Sequence, residues 1–175
     1  MVTKKTVKAA VVEMMDVVDK DDKVIGQASR DEAIEKKLRT RLVHVILVNA
    51  EGEMLVQWRK ADKKVSPRTF IASAAGGCEA GENYADAAAR ELKEELGVKT
   101  KLTRVGAFQI NKGLPSNCEL FMGKWDGEVS GWEEEADALD WWSRDICEFM
   151  QARFPYLLSK SFQLSLKMFL KETEE

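Results

Sequence analysis

Apolar positions along the chain recur with two periods, and the switch between them marks out the elements. Residues 11–27 hold the apolar stretch Met14 to Val18, the polar cluster DKDDK and then Val24-Ile25-Gly26, a pattern that predicts a small hairpin with an exposed turn. Ser29-Arg-Asp-Glu32 follows as a capping box: the Ser29 hydroxyl can accept from the first turn and Glu32 can reach back, opening a short helix to about Lys37. Residues 42–48 (LVHVILV) and 54–58 (MLVQW), joined by the turn Asn49-Ala-Glu-Gly52, predict a buried central hairpin. Three further strands are expected over residues 104–110, 118–125 and 138–142. From about residue 144, Leu158, Phe162, Leu166, Phe169 and Leu170 fall at helical spacing, with Pro155 breaking the tail into two helices that pack on the sheet.

The stretch 76–98, GGCEAGENYADAAARELKEELGV, behaves differently, because a glycine-rich loop runs straight into strong helix formers. Asn83 suits the N-cap, and Gly97 suits the residue past the C-terminus, where a positive φ is needed. At about 100° per residue, Glu91, Glu94 and Glu95 share one arc, while Ala85, Ala88, Ala89, Leu92 and Leu96 share the neighbouring one and are expected to pack. Three carboxylates at i, i+3 and i+4 repel one another in a bare helix, and a bound cation removes the conflict. Oxygen donors suit a hard divalent ion, Mg2+ or Mn2+, held by a few carboxylates together with waters and substrate phosphate oxygens. Arg90 can hold a neighbouring carboxylate in two-pronged fashion, and Glu82 can approach the same cluster.

Composition narrows the picture. The 175 residues suffice for one well-packed core, so a single domain over 1–175 is expected, with residues 1–40 as an N-terminal hairpin-and-helix extension and 144–175 as C-terminal helices. Charged residues make up 33% of the chain, yet their signs nearly cancel to -3, which leaves no footprint for a nucleic acid polymer. Cys78, Cys118 and Cys147 form no CxxC pair, so neither a disulfide framework nor a thiolate zinc site is indicated, and a reducing, cytoplasmic setting fits. Glu13 and Asp16 interrupt the first apolar stretch, which argues against a secretory leader, and no run reaches the length of a membrane span.

The spacing of Gly76, Glu82, Arg90-Glu91-Leu92, Glu94-Glu95 and Gly97-Val98 resembles the complete Nudix box. Seven fixed letters at about 6% usage each, with two aliphatic positions, arise by chance on the order of once in a billion starting points. The resemblance implies an α/β/α sandwich with a mixed central sheet and hydrolysis of a diphosphate bond in a small-molecule substrate. It implies Glu91, Glu94 and Glu95 as metal ligands, with a carbonyl near Ala75–Gly76 as a further contact. Glu82 and Arg90 are implied as orienting residues. The general base is open between Glu94, Glu91 and a later acid such as Glu134 or Glu135.

The N-terminal pattern and the strand entering the box are similar to the branch that includes type I isopentenyl diphosphate isomerase. That chemistry needs a Cys-Gly-His sequence just before the box, where Ala75-Gly76-Gly77 stands here, and several histidine ligands. His44 is the sole histidine and lies inside an apolar run, which favours a satisfied core position. A non-catalytic sensor of nucleotides or phosphorylated ligands is the remaining alternative; it would not require the carboxylates. The polar stretch 59–69 carries Arg59, Lys60, Lys63, Lys64 and Arg68, cations able to meet phosphates, and residues 111–117 form a candidate substrate lip. Trp58, Phe70, Phe108, Trp125, Trp132, Trp141 and Trp142 are candidates for stacking on a base, and a homodimer through the N-terminal hairpin or the tail is compatible with the pattern.

Overall fold

The computed structural model describes residues 12–173. The readings of residues 1–11 as part of the extension, and of their basic start as no leader, lie outside the described residues. The chain forms β1 (Met14–Val18), β2 (Val24–Ser29), α1 (Arg30–Glu35), β3 (Thr40–Val48), β4 (Met54–Arg59), β5 (Phe70–Ile71) and β6 (Ala74–Gly77). It continues with α2 (Tyr84–Leu96), β7 (Leu102–Ile110), β8 (Ser116–Lys124), β9 (Ala136–Trp142), α3 (Arg144–Arg153) and α4 (Lys160–Glu172). Among the described residues, no helix is long and apolar enough to cross a membrane.

The strands form one mixed sheet between two helical layers, as expected of an α/β/α sandwich. β3 is its axis, pairing in parallel with β8 along its whole length and antiparallel with β6 over Leu42 to Val45. Val43, Val45 and Leu47 face α2 and pack on Ala87, Ala88, Leu92 and Leu96. Ile46 belongs to the opposite core, filled by Phe162, Leu166, Phe169 and Leu170 from α4. The tail thus covers the sheet as its periodicity predicts, and Pro155 opens the 3-10 turn that separates α3 from α4.

The expected central hairpin is corrected. β3 and β4 pair only at Val48↔Met54, beside the turn, and then diverge. Both edges of β3 are already taken by β8 and β6, so β4 finds its partners in β5 and β9 instead. β6 also claims Gly76 and Gly77 for the ladder, where a loop was expected.

The N-terminal hairpin forms, and it braces the loop before α2. Ala80 N–H donates to the Met14 carbonyl at 2.8 Å, and Gly81 N–H donates to Oδ2 of the buried Asp16 at 2.9 Å. Ser29 caps α1 as read, accepting from Glu32 N–H at 3.2 Å, and the Glu32 carboxylate is held by Lys36 at 2.7 Å as well as by the Ser29 amide. A lysine one turn along offers the exposed carboxylate a charged donor beside the backbone amide. Residues 111–117 are tied to the N-terminal part of the chain. Asn111 accepts from Arg39, and Asn117 donates to the Asp19 carbonyl and to Asp22, so the segment is engaged with the N-terminal hairpin and the strand that follows it.

His44 is a buried sheet residue. The Ser165 hydroxyl donates to the Phe162 carbonyl, which leaves its oxygen to accept from His44 Nδ1–H at 2.9 Å. Burial pushes the imidazole down to about 4 from an ordinary 6.5. Because the folded value lies below the unfolded one, its contribution to stability is complete above pH 6.5 and is lost as the pH falls toward 4. At about 1.4 kcal/mol per pH unit, this amounts to about 3 kcal/mol across that window. Urea unfolding at neutral and mildly acidic pH should therefore show a smaller acid loss for His44→Leu than for the unsubstituted chain; an equal loss would remove His44 as a cause.

Candidate active site

Three short segments build the site: the end of β6, the loop 78–82 and the acidic side of α2. Asn83 caps the helix by accepting from Asp86 N–H at 2.9 Å, and Gly97 ends it in the left-handed region at φ 68°. The helix is rotated from the expectation. Ala85 and Ala89, expected to pack, are exposed, and the buried positions are Ala87, Ala88, Leu92, Glu95 and Leu96. The packing arc therefore overlaps the acidic arc. Small residues at 87 and 88 let the helix approach β6 closely enough to bring Glu91 and Glu95 against that strand.

Glu91 lies directly over Gly76. A Cβ at residue 76 would fall inside the Glu91 carboxylate, so glycine is required there for space rather than for backbone freedom. Glu95 is 7% exposed; its Oε1 lies 3.4 Å from Ala75 N–H, and its Oε2 accepts from Gln57 Nε2 at 2.8 Å. Burial, then the nearby Glu91 charge, push the Glu95 carboxyl up to about 8, against the opposing hydrogen bond from Gln57. Burial also raises Glu91, although Arg90 pulls it back. Glu94 stays outside, with its side chain 60% exposed.

Arg90 ties the segments together. Its Nε and Nη2 donate to the two oxygens of Glu82 at 3.0 and 2.8 Å, and Nη2 also donates to the Gly77 carbonyl at 2.9 Å. Nη1 donates to Glu91 at 2.8 Å and to Glu94 at 3.2 Å. Burial alone would raise Glu82, but the Arg90 hydrogen bonds and the Glu79 amide hold it below the ordinary carboxylate range. One guanidinium thus fixes the loop, the end of β6 and two helix carboxylates in a single arrangement.

Among the described residues no three acidic, histidine or cysteine side chains converge into a ready-made cation cage. The donors nevertheless fit a hard divalent ion. They are all oxygen, two of them share the β6 surface, and both of these are raised by burial that a nearby cation would offset. Sequence reasoning missed Gln57, which is 0% exposed on β4 and donates to the Ser73 carbonyl as well as to Glu95. Its only trace in the sequence is a polar residue inside an apolar strand.

The basic stretch is partly spent. Arg59 and Lys63 both pair with Glu135, at 2.9 and 2.6 Å, and the exposed Lys64 pairs with Asp31. Lys60 and Arg68 have no ion pair among the described residues. Glu135 is close enough for its charge to raise Glu95, whereas Glu134 is exposed in the 3-10 turn that precedes β9. Trp58, Phe70 and Trp142 pack ring to ring at 4.7 and 4.6 Å, with Phe70 and Trp142 in the core on the α4 side, opposite the carboxylates. Trp125, Trp132 and Trp141 pack against the α2 core. Cys78 is also buried there, and burial pushes its thiol up to about 12, so the nearest sulfur to the isomerase position is neither exposed nor ionised.

A mixed sheet flanked by helices, with a glycine-to-glutamate contact and an arginine clamp at one end of the packed helix, defines a Nudix-type domain. The NUDIX domain model matches residues 38–157, and the chain belongs to the Nudix hydrolase family. An uncharacterized Nudix hydrolase of Pseudomonas aeruginosa is 41% identical over 131 residues, 73% of this chain and 76% of that one. Another, from Yersinia pestis, is 40% identical over 90 residues, and there the match spans only 50% of the relative's length. An isopentenyl-diphosphate Delta-isomerase of Serratia proteamaculans is 30% identical over 135 residues, covering 74% of this chain and 75% of the isomerase. In structure, the chain resembles a Deinococcus radiodurans protein with a TM-score of 0.75 and 22% identity, covering 93% of this chain and 100% of that one. The MutT protein of Methanosarcina mazei follows with a TM-score of 0.65 and 18% identity, over 78% of this chain and 96% of that one.

The clamp separates two kinds of pair. Arg90→Met leaves Glu82 and Glu91 partly buried without their donor and should lower unfolding stability by about 2 kcal/mol, below the 3–5 kcal/mol of a fully buried pair because some solvent reaches the site. Glu94→Gln removes only an exposed pair and should cost less than about 1 kcal/mol. Chemical denaturation in the presence of a chelator measures both; equal losses would refute this division.

Proposed function

We propose that this chain is a divalent-metal-dependent hydrolase that cleaves a phosphoanhydride bond in a small molecule, with a nucleoside diphosphate-linked compound as the leading substrate class. We take residues 1–175 as one catalytic domain. The observation that carries the reading is the pair Glu91 and Glu95, both packed against β6 at Ala75 and Gly76, with Arg90 clamped behind them. Family membership supports it.

In this reading Glu91, Glu94 and Glu95 hold Mg2+, with Mn2+ able to substitute, and a carbonyl at Ala75–Gly76 adds a further oxygen. When bound, the ion neutralises charge developing on the phosphate oxygens and lowers the pKa of a coordinated water. Glu82 and Arg90 set the carboxylate positions. Glu94 is the carboxylate best able to take a proton from the attacking water, because among the described residues its side chain bonds only Arg90 and it faces solvent. Glu135 would first have to leave both Arg59 and Lys63, which disfavours it as the base. Lys60 and Arg68, which have no ion pair among the described residues, suit the substrate's outer phosphate. We take the protein as cytoplasmic and as acting on small molecules, not on a nucleic acid polymer or a membrane.

A hydrolysis screen over nucleoside di- and triphosphates, nucleotide sugars, dinucleotides and isoprenoid diphosphates, with and without Mg2+, tests the proposal through product identification. Mg2+-dependent release of a phosphorylated product is expected, and metal-independent binding without turnover would favour a sensor instead. On the best substrate, Glu91→Gln should lower kcat by about 100-fold or more. Gly76→Ala should approach the same loss by displacing Glu91 about 1 Å from its place, since an error of that size can cost about 100-fold. Full activity in Glu91→Gln would refute the assigned role.

A further inference from the structure

Gln57 combines three properties that a packing residue does not need. It is completely buried, its amide nitrogen serves two acceptors, and its Oε1 is a buried side-chain oxygen with no hydrogen-bond partner among the described residues. The orientation of the amide is fixed by chemistry. The Ser73 carbonyl can only accept, so the nitrogen must face it, and the same nitrogen then reaches Oε2 of Glu95 at 2.8 Å. Turning the amide over would set oxygen against oxygen at the Ser73 carbonyl.

Ser73 is itself immobilised. Its hydroxyl accepts from Leu47 N–H at 2.8 Å and donates to the Leu55 carbonyl at 2.6 Å, which links β3 to β4 just where the two strands diverge. The Gln57 amide is therefore anchored to a rigid part of the sheet and imposes its direction on Glu95. A leucine at this position would satisfy the core; a glutamine leaves an orphaned acceptor there, an unfavourable arrangement unless something supplies a donor.

We propose that Gln57 is a positioning residue for the metal site: it holds Oε2 of Glu95, turns Oε1 toward β6, and offers its own Oε1 to a donor that enters with the hydrated cation. The inference rests on the assignment of Glu95 as a metal ligand. Magnesium keeps several of its waters when bound by few carboxylates, so such a donor is available. Residues that orient metal ligands in this way typically change metal affinity by about 10- to 100-fold when replaced.

Mn2+ binding to the chain without substrate, followed by loss of the free-ion electron paramagnetic resonance signal, provides a readout independent of turnover. Gln57→Met keeps the volume and removes the amide; its Mn2+ dissociation constant should rise about 10-fold or more. Glu95→Gln is the control. If Glu95→Gln binds Mn2+ normally, the ligand assignment fails and this inference falls with it. If Glu95→Gln weakens binding while Gln57→Met leaves it unchanged, only the positioning role is overturned. A measurement on the unsubstituted chain covers the case in which Gln57→Met does not fold: titration with Mg2+ alone should shift the Gln57 side-chain amide resonances in nitrogen-15 NMR, and their constancy at saturation would overturn the proposal.

Discussion

The structure depends on forcing two carboxylates of one helix against the same four-residue strand. A helix usually turns its charges to solvent, where three glutamates at this spacing would cost a few tenths of a kcal/mol per pair. Here α2 is rotated so that Glu95 is buried and Glu91 half-buried, and both lose solvation beside each other. Several features serve that placement. Ala87 and Ala88 shorten the helix-to-strand distance, Gly76 vacates the volume of a Cβ, and Arg90 supplies the nearest positive charge. Local stability is given up to hold these carboxylates against the strand, a conflict between levels of the kind expected at functional sites.

The same economy extends around the carboxylates. A net charge of -3 hides a layout in which opposite charges meet in local groups: Arg90 with Glu82, Arg59 and Lys63 with Glu135, and Arg41 with Asp22. Each match fixes a loop. Arg41 and Tyr84 both bond Asp22, whose positive φ of 65° marks the tight turn of the N-terminal hairpin, and the buried Asp16 holds the amide of Gly81. The hairpin is therefore a brace for the glycine-rich loop. It is tied into the fold through the residues that shape the site.

How much of this was legible in the sequence depended on the range of the interactions. The caps at Ser29, Asn83 and Gly97 are local and were readable, as was the break at Pro155. The box residues were readable because their spacing is fixed by one helix and one loop. The splaying of β3 from β4 was not, since it follows from β8 and β6 taking both edges of β3, and β8 lies some 70 residues away. Helical-wheel reasoning put Ala85 and Ala89 inside because it grouped the apolar residues on a face separate from the acidic one, and the burial of Glu95 shows that the two faces overlap. Gln57 was invisible for a related reason. A single polar residue in a strand has no meaning until the helix facing it is known.

The 30% identity to an isopentenyl-diphosphate isomerase raises the question of which parts of the two chemistries this scaffold can support. Proton transfer to and from carbon needs an acid and a base facing each other across the substrate, with pKa values near the working pH. The histidine here lies in β3 with its Nδ1 committed to Ser165 from α4, on the side of the sheet away from α2. Cys78 is on the α2 side, but burial holds it as a neutral thiol in an apolar cluster. What remains at the surface of the site is a set of carboxylates and one guanidinium. Such a set can bind a cation and orient water, and it offers no partner for shuttling protons across a carbon skeleton. The resemblance is one of sequence over 135 residues, while the histidine and the thiol that this chain could offer to such chemistry are both buried.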